Sequence, residues 1–343
     1  MSNSDWEFSE TPPDLGVWLA AWKRSRAGAG IFCHPVWLTY WARTFAASPK
    51  VWHSLPEDVY VPMHIRRMWG LKRLLSFGDG PCLYDEMKWP ISKNEPSPAF
   101  LESLAGAEWQ AVHLRFWSDR EQAARLVDLA GTQGWAALIR EEEGIPWIDL
   151  TDNWEDSVSH KLREDINYNL KRLTEKYGSV ELVSASEDDW DEFIGAYRKL
   201  WRRFGTEPLL TRSQRTADFV RGLDKDLTAF HKLQAGGKTI AWHFGYRFAK
   251  EFTYEFPTYD TTYGKYSPGK VLLWFLIQWA KEHRDETFSF GRGEEPYKLR
   301  WTKTVKPLIS VNLYRSRFWA KCDPLRARGA LAVVYKKAMG RRR

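Results

Sequence analysis

Residues 254–301 read YEFPTYDTTYGKYSPGKVLLWFLIQWAKEHRDETFSFGRGEEPYKLRW. This stretch begins in a strand, passes a Ser267-Pro268-Gly269 turn, runs through a very apolar helix and re-enters a strand before Tyr297-Lys298. Upstream, Gly236-Gly237 lies between LTAFHKLQA and KTIAWHFGYRF. Paired glycines there signal a two-residue hairpin, because both take positive φ without a side-chain penalty. A second short turn at Ala249-Lys250 leads into a third strand over residues 252–256. An antiparallel meander, a loop, a buried helix and a returning strand together make a cradle for a ligand at a helix N-terminus.

The remaining composition narrows the class. A chain of 343 residues can bury a sizeable core, and its length suggests two domains. Hydrophobic content of 43% and charged content of 28% suit a folded protein, and no run nears the roughly 18 apolar residues that span a bilayer. The start, MSNSDWEFSETPPD, lacks the basic and apolar regions of a signal peptide, so a cytoplasmic location is expected. Cys33, Cys82 and Cys322 are too widely spaced for a disulfide framework or zinc site, and no HxxxH or HxH pair occurs, so no metal is expected. A net charge of +7 suits phosphates, whether of a nucleotide cofactor, a nucleic acid or an anionic membrane. Much of the excess lies in RSRFWAKCDPLRARGALAVVYKKAMGRRR, read either as a solvated terminal helix or as an arm touching anionic lipid or RNA at the inner face of the membrane. The 20 tryptophans fall mostly in periodic apolar segments and are expected in the core.

Each half mixes helices and strands. Residues 35–47 have helical spacing; 59–65, 72–77 and 111–117 read as strands; a helix over 119–131 and a strand over 135–140 follow. From residue 154 to 177 one long amphipathic helix is expected, with Val158, Leu162, Ile166, Leu170, Leu173 and Tyr177 on one face and Lys161, Arg163, Lys171, Arg172 and Lys176 elsewhere. Gly178 suits its end, a short strand follows at 180–183, and another helix covers 188–204. The boundary between halves is placed near residue 150. Both halves share a rough order of helices then strands, without a residue-level repeat.

The run Tyr263-Gly264-Lys265-Tyr266-Ser267-Pro268-Gly269-Lys270 is the candidate anion site. Ser267 can cap the helix, Pro268 suits its first turn and Gly269 allows close backbone approach. Free N–H groups, the helix dipole, Lys265 and Lys270 would then meet a phosphate. The alternative is an ordinary capped helix. Neither a Walker loop nor a GxSxG elbow is present, so Ser267 is a poor nucleophile.

Ala241-Trp242-His243-Phe244-Gly245, Tyr259-Asp260, Ser267-Pro268-Gly269, Gly291-Arg292-Gly293-Glu294, Tyr297-Lys298 and Trp301 carry a resemblance. In these residues the chain resembles the CelD/BioF2-like acyltransferases of the GNAT superfamily, similar in turn to the FemAB aminoacyl-transferases with their paired GNAT domains. The helix HKLREDINYNLKRLTEKYG and the entry IFCHPVWLTYW fit the same pattern. The chain departs at Ser289, where relatives often carry Asp, and in lacking the QxxGxG/A loop of standard acetyl-CoA enzymes.

The resemblance implies an α+β fold of two GNAT-like domains in tandem, each a mixed, mostly antiparallel sheet flanked by helices. A degenerate first domain covers 1–150, the acyltransferase domain 151–315, and a basic helix or tail 316–343. Two neighbouring strands would splay around an acyl thioester, with the pyrophosphate of acetyl-CoA or another acyl-CoA at Lys265, Ser267, Gly269 and Lys270. Candidate bases are His243, otherwise a core histidine, and Glu255, otherwise paired with Arg247 or exposed. Tyr297 would protonate the leaving thiolate, while Tyr259, Asp260, Arg292, Glu294 and Lys298 would bind acceptor or shape its loop. The expected function is N- or O-acyl transfer, acetyl foremost, to a small-molecule, polysaccharide or cell-envelope precursor. The alternatives are a FemAB-type transferase using aminoacyl-tRNA, favoured by the basic helix, and a non-catalytic scaffold of the same fold.

Overall fold

Side chains set several helix starts before any packing does. In the computed structural model, which describes residues 5–25, 30–46, 48–68, 70–79, 84–87, 96–203, 205 and 207–324, Ser97, Asp119, Ser159 and Ser213 each accept the backbone N–H that opens the following helix. Turns follow the same logic: Gly236 and Gly237 take φ of 56° and 75°, and Ala249 and Lys250 take 49° and 62°. The chain forms two compact units, residues 143–307 and residues 1–142 with 308–343.

In chain order the elements are β1 (Trp6–Ser9), α1 (Leu15–Ser25), α2 (Pro35–Phe45), β2 (Pro49–Ser54), β3 (Val59–Met68), β4 (Leu71–Ser76), α3 (Pro98–Gly106), β5 (Ala111–Trp117), α4 (Arg120–Thr132) and β6 (Ala136–Asp149). Then come α5 (His160–Tyr177), β7 (Val180–Ser184), α6 (Trp190–Arg202), α7 (Gln214–Arg221), β8 (Thr228–Ala235), β9 (Lys238–Phe248), β10 (Glu251–Tyr259), α8 (Pro268–Glu282), β11 (Thr287–Ser289), β12 (Val305–Tyr314) and α9 (Arg317–Cys322). The long helix expected over 154–177 is broken: Trp154–Ser157 form a separate 3-10 turn, and Ser159 caps a fresh start by accepting from Leu162. Helix α6 ends at Arg202, and position 204 lies outside the described residues.

The two sheets have one topology. The first unit runs β1-β2-β3-β4-β5-β12, antiparallel except for the parallel pair β4/β5. The second runs β7-β8-β9-β10-β11-β6, antiparallel except for the parallel pair β10/β11. Between each parallel pair the chain passes through a crossover helix, α3 or α8. Each is thus a mixed, mostly antiparallel sheet flanked by helices, and the duplication invisible in the residues is visible in strand order. Each sixth strand is contributed by chain that follows the other unit's fifth strand. This exchange explains why the observed division falls after residues 142 and 307, where the sequence expectation divided at 150 and 315.

The core is aromatic. Trp37, Trp41, Trp52, Trp117 and Trp301 are fully buried. The second unit packs Val271, Leu272, Leu276, Ile277 and Ala280 of α8 against Ile240, Ala241, Phe252 and Phe288. Two histidines also lie in this layer. His231 and His243 pair across β8 and β9 with rings 6.5 Å apart, exposed 3% and 0%.

The segment after β12 is more than the solvated tail expected there. Asp323 is buried and takes both terminal nitrogens of Arg73, at 2.6 and 2.9 Å, together with the Tyr314 hydroxyl at 3.0 Å. Arg73 also donates to His113 at 2.9 Å. One carboxylate therefore ties β4, β5 and β12 together. Residues 325–343 of the basic tail, and Cys82, lie outside the described residues. Among the described residues no helix is long and apolar enough to cross a membrane, and no group of His, Cys, Asp or Glu can hold a metal.

Two predictions follow from these buried charges and imidazoles. Asp323→Asn leaves the Arg73 guanidinium uncompensated and is expected to cost about 3 kcal/mol or more in urea unfolding. Arg73→Met in the same chain should recover part of that loss. Burial first, then the charges of His283 and Arg247, lower the pKa of His231 to about 4. The unfolded chain takes up that proton near pH 6.5 and the native one near 4, so stability is full above 6.5 and falls as pH drops between them. Unfolding free energy of wild type should drop about 1.4 kcal/mol per pH unit more steeply in that window than that of His231→Leu.

Candidate active site

β10 and β11 pair over only three residues, Glu251 with Thr287, Phe252 with Phe288 and Thr253 with Ser289, and then separate. On the β10 side the cause is a bulge between Thr253 and Phe256. The extra backbone N–H, that of Glu255, donates to Nε2 of His243 at 3.3 Å. The His243 ring stacks on Tyr254 at 5.0 Å and lies 5.3 Å from Phe252. Gly245 makes room: a Cβ there would sit 2.1 Å from the Thr253 carbonyl and 2.7 Å from the imidazole. This explains Ala241-Trp242-His243-Phe244-Gly245 as a bulge-forming unit.

On the β11 side the chain leaves to follow β6. Phe290 donates to Pro146, Gly293 donates to Gly144 at 2.9 Å, and the Gly144 N–H donates to the Glu294 carboxylate at 2.9 Å. Gly291 and Gly293 supply the positive φ of 68° and 109° that this turn needs. Lys298, 5% exposed, closes the turn by donating to the Arg292 carbonyl at 2.9 Å and pairing with Glu295 at 3.0 Å. Glu294 and Lys298, expected at the acceptor, are therefore engaged in holding the turn. The Arg292 side chain sits half-buried on the same turn.

A cleft of about 330 Å³ fills the divergence, lined by Tyr254, Pro257 and Tyr259 of β10, Ser267, Gly269 and Lys270 at the start of α8, and Tyr297, Arg300 and Trp301 beyond the turn. Leu162, Leu200 and Leu273 make it largely apolar. The helix start differs from expectation. Ser267 is left-handed, φ 47° and ψ 50°, and its side chain caps nothing. Its carbonyl instead accepts from Lys270 at 2.9 Å and Val271 at 3.3 Å. Pro268 has no N–H, and among the described residues the Gly269 N–H has no backbone acceptor. Lys270 pairs with Asp165 on α5, and Lys265 is exposed with its ammonium 5.2 Å from the Tyr266 ring. Asp260 caps the 3-10 turn over Thr261–Tyr266 by accepting from Thr262 at 2.9 Å.

Three acidic groups gather near this cleft. Tyr297 is 43% exposed; partial burial, followed by the carboxylates of Glu295 and Glu255 and the phenol of Tyr197, pushes its phenol up from its ordinary value. Burial and then Glu255 raise Tyr197 likewise. Both phenols stay protonated beside the half-buried Glu255. Arg247, the expected alternative partner of Glu255, pairs with Asp285 at 3.0 Å. His243 lies off the cleft. Burial and the neighbouring His231 hold its pKa well below the ordinary value, and its Nδ1 has no hydrogen-bond partner among the described residues. Sequence reasoning missed Tyr197, Leu200 and Arg300. The first two fall on the buried face of α6, where their spacing is that of any core-facing helix.

Residues 160–299 match the family model described as an acetyltransferase (GNAT) domain. No curated protein matches in sequence. Among solved structures, FemX superposes with a TM-score of 0.60 at 10% identity, covering 90% of this chain and 97% of that one. L-PGS from Bacillus licheniformis gives 0.57 at 16% identity, covering 88% and 92%. The C-terminal domain (DUF2156) of a protein described as a lysylphosphatidylglycerol synthetase, from Agrobacterium fabrum, gives 0.57 at 14%, covering 94% and 96%. The splayed strands, the crossover helix between them and the matched segment converge: the chain is an enzyme with a GNAT-type fold, in which residues 160–299 match the acetyltransferase (GNAT) domain model.

Proposed function

We propose that the protein transfers an acyl group, acetyl in the simplest case, from a coenzyme A thioester to an amine or hydroxyl. The observation that carries this reading is the parting of β10 from β11 over an apolar cleft that ends at the open Gly269 N–H. A thioester arm fits between splayed strands, and a pyrophosphate is favoured at an uncapped helix start. The corresponding helix of the first unit, α3, has its opening N–H taken by Ser97. That contrast supports a degenerate first domain and a donor site in the second.

Glu255 is the base we assign, since the bulge turns it out of the β10/β9 ladder near Tyr297 and Tyr197. It takes the proton as the acceptor's nitrogen or oxygen bonds to the thioester carbonyl carbon. The tetrahedral intermediate then breaks its C–S bond, and the leaving thiolate takes the Tyr297 proton. His243 keeps the bulge in shape. Tyr259 and Tyr297 offer faces on which a sugar can stack, which together with the CelD/BioF2-like resemblance supports a polysaccharide or envelope-precursor acceptor. Asp260 and Arg292 shape the loops beside it.

A second reading, a FemAB-type transfer from aminoacyl-tRNA, is favoured by α5, where Lys161, Lys171 and Lys176 are exposed and Tyr168 is 61% exposed beside Arg172. Binding of tRNA would weaken steeply with salt. The basic C-terminus and the likeness to a domain described by a phospholipid product are compatible with peripheral contact at a membrane.

Calorimetric titration with acetyl-CoA should give saturable binding, weakened about tenfold or more in Gly269→Val, whose side chain enters the cleft. Unchanged affinity in that variant would move the donor elsewhere, and no binding to the wild type would favour the tRNA reading. Glu255→Gln should lower kcat about a hundredfold or more while leaving donor affinity intact. A loss confined to KM would remove Glu255 from the chemistry.

A further inference from the structure

A larger cavity, about 870 Å³, lies at the other end of the second sheet. It opens among the start of β8, the β9–β10 turn, the residues after β7 and the C-terminal end of α8. From Pro268 to Glu282 that helix has 15 residues, so the cavity is about 22 Å from the cleft along its axis. A volume in this range is that of a small-molecule site.

Its floor is aromatic. The Trp279 indole meets His231 edge-on at 4.5 Å and stacks on His283 at 3.8 Å. Its charges are mostly paired: Arg221 with Glu187, Arg247 with Asp285 and Lys250 with Glu286. Lys225 and Arg284 line the cavity, are exposed and have no ion-pair partner among the described residues. His231 also lines the cavity and is 3% exposed, yet among the described residues its Nδ1 has no hydrogen-bond partner. A buried ring nitrogen without a partner is costly unless something supplies one. Five lining Lys and Arg side chains face three carboxylates, so the surplus is positive.

We propose that this cavity is a second ligand site, separate from the acyl-transfer cleft, for a small molecule bearing a phosphate or carboxylate on a flat apolar body. The anionic group lies between Lys225 and Arg284, the His231 ring contributes a hydrogen bond, and the body packs on Trp279. The lowered pKa of His231 keeps that ring neutral at pH 7, with one N–H to give. This assignment is independent of the donor chosen for the cleft.

The test is titration of the full-length, ¹⁵N-histidine-labelled protein with phenyl phosphate, with benzoate and inorganic phosphate as separate arms. The His231 resonance is identified by its loss in His231→Leu. A saturable shift is expected with phenyl phosphate or benzoate, weaker with inorganic phosphate, and weakened about tenfold or more in Lys225→Glu and in Arg284→Glu. Both substitutions are on exposed side chains, and unchanged melting curves confirm folding. Failure of the signal to saturate, or equal binding in both charge-reversed variants, would overturn the proposal. Retention of the response at full strength with inorganic phosphate alone would reduce the site to a bare anion site and overturn the apolar-body assignment.

Discussion

One hydrogen bond organises the second unit: the Glu255 N–H to the ring of His243. Accepting it requires an imidazole buried in the sheet, a neighbouring residue without a Cβ, and a strand that gives up one rung of its ladder. Together these bend β10 away from β11 and open the cleft. Glu255 reaches its place for the same reason, because the residue whose backbone is turned inward is the one whose side chain leaves the regular alternation. The placement of Glu255 and the strand separation are thus two consequences of one bulge.

Charge around the cleft is mostly committed before any ligand arrives. Lys270 serves Asp165, Lys298 serves Glu295 and two carbonyls, and Glu294 serves the backbone of β6. A surface of net positive charge therefore offers less free cation at the cleft than its sequence suggests. The proposed donor site therefore rests more on the backbone N–H at Gly269, with the dipole of α8 behind it, than on side-chain cations. The second cavity also has most of its charges paired, but among the described residues Lys225 and Arg284 have no ion-pair partner and the His231 Nδ1 has no hydrogen-bond partner.

Local chemistry was legible in the sequence. Gly236-Gly237 and Ala249-Lys250 form their turns because two-residue hairpins demand positive φ, and the strand at 111–117 and the apolar helix after Pro268 lie where periodicity put them. Long-range matters were not legible. Nothing in the β12 sequence says that it joins β5, nor in the tail that Asp323 closes on Arg73 across 250 positions. Ser267 looked like a cap because its residue type and its proline neighbour fit one, but its left-handed backbone turns the hydroxyl away from that role. His243 looked equally suited to cleft or core, since alternation gives a face and not an occupant.

Hydrogen exchange followed by mass spectrometry, with and without coenzyme A, tests most directly whether the β10/β11 divergence is the donor site. The account predicts slowed exchange in residues 254–259 and 267–273, with little change around the β9–β10 turn. Protection concentrated away from those two segments, at a coenzyme A concentration that saturates binding, would contradict it.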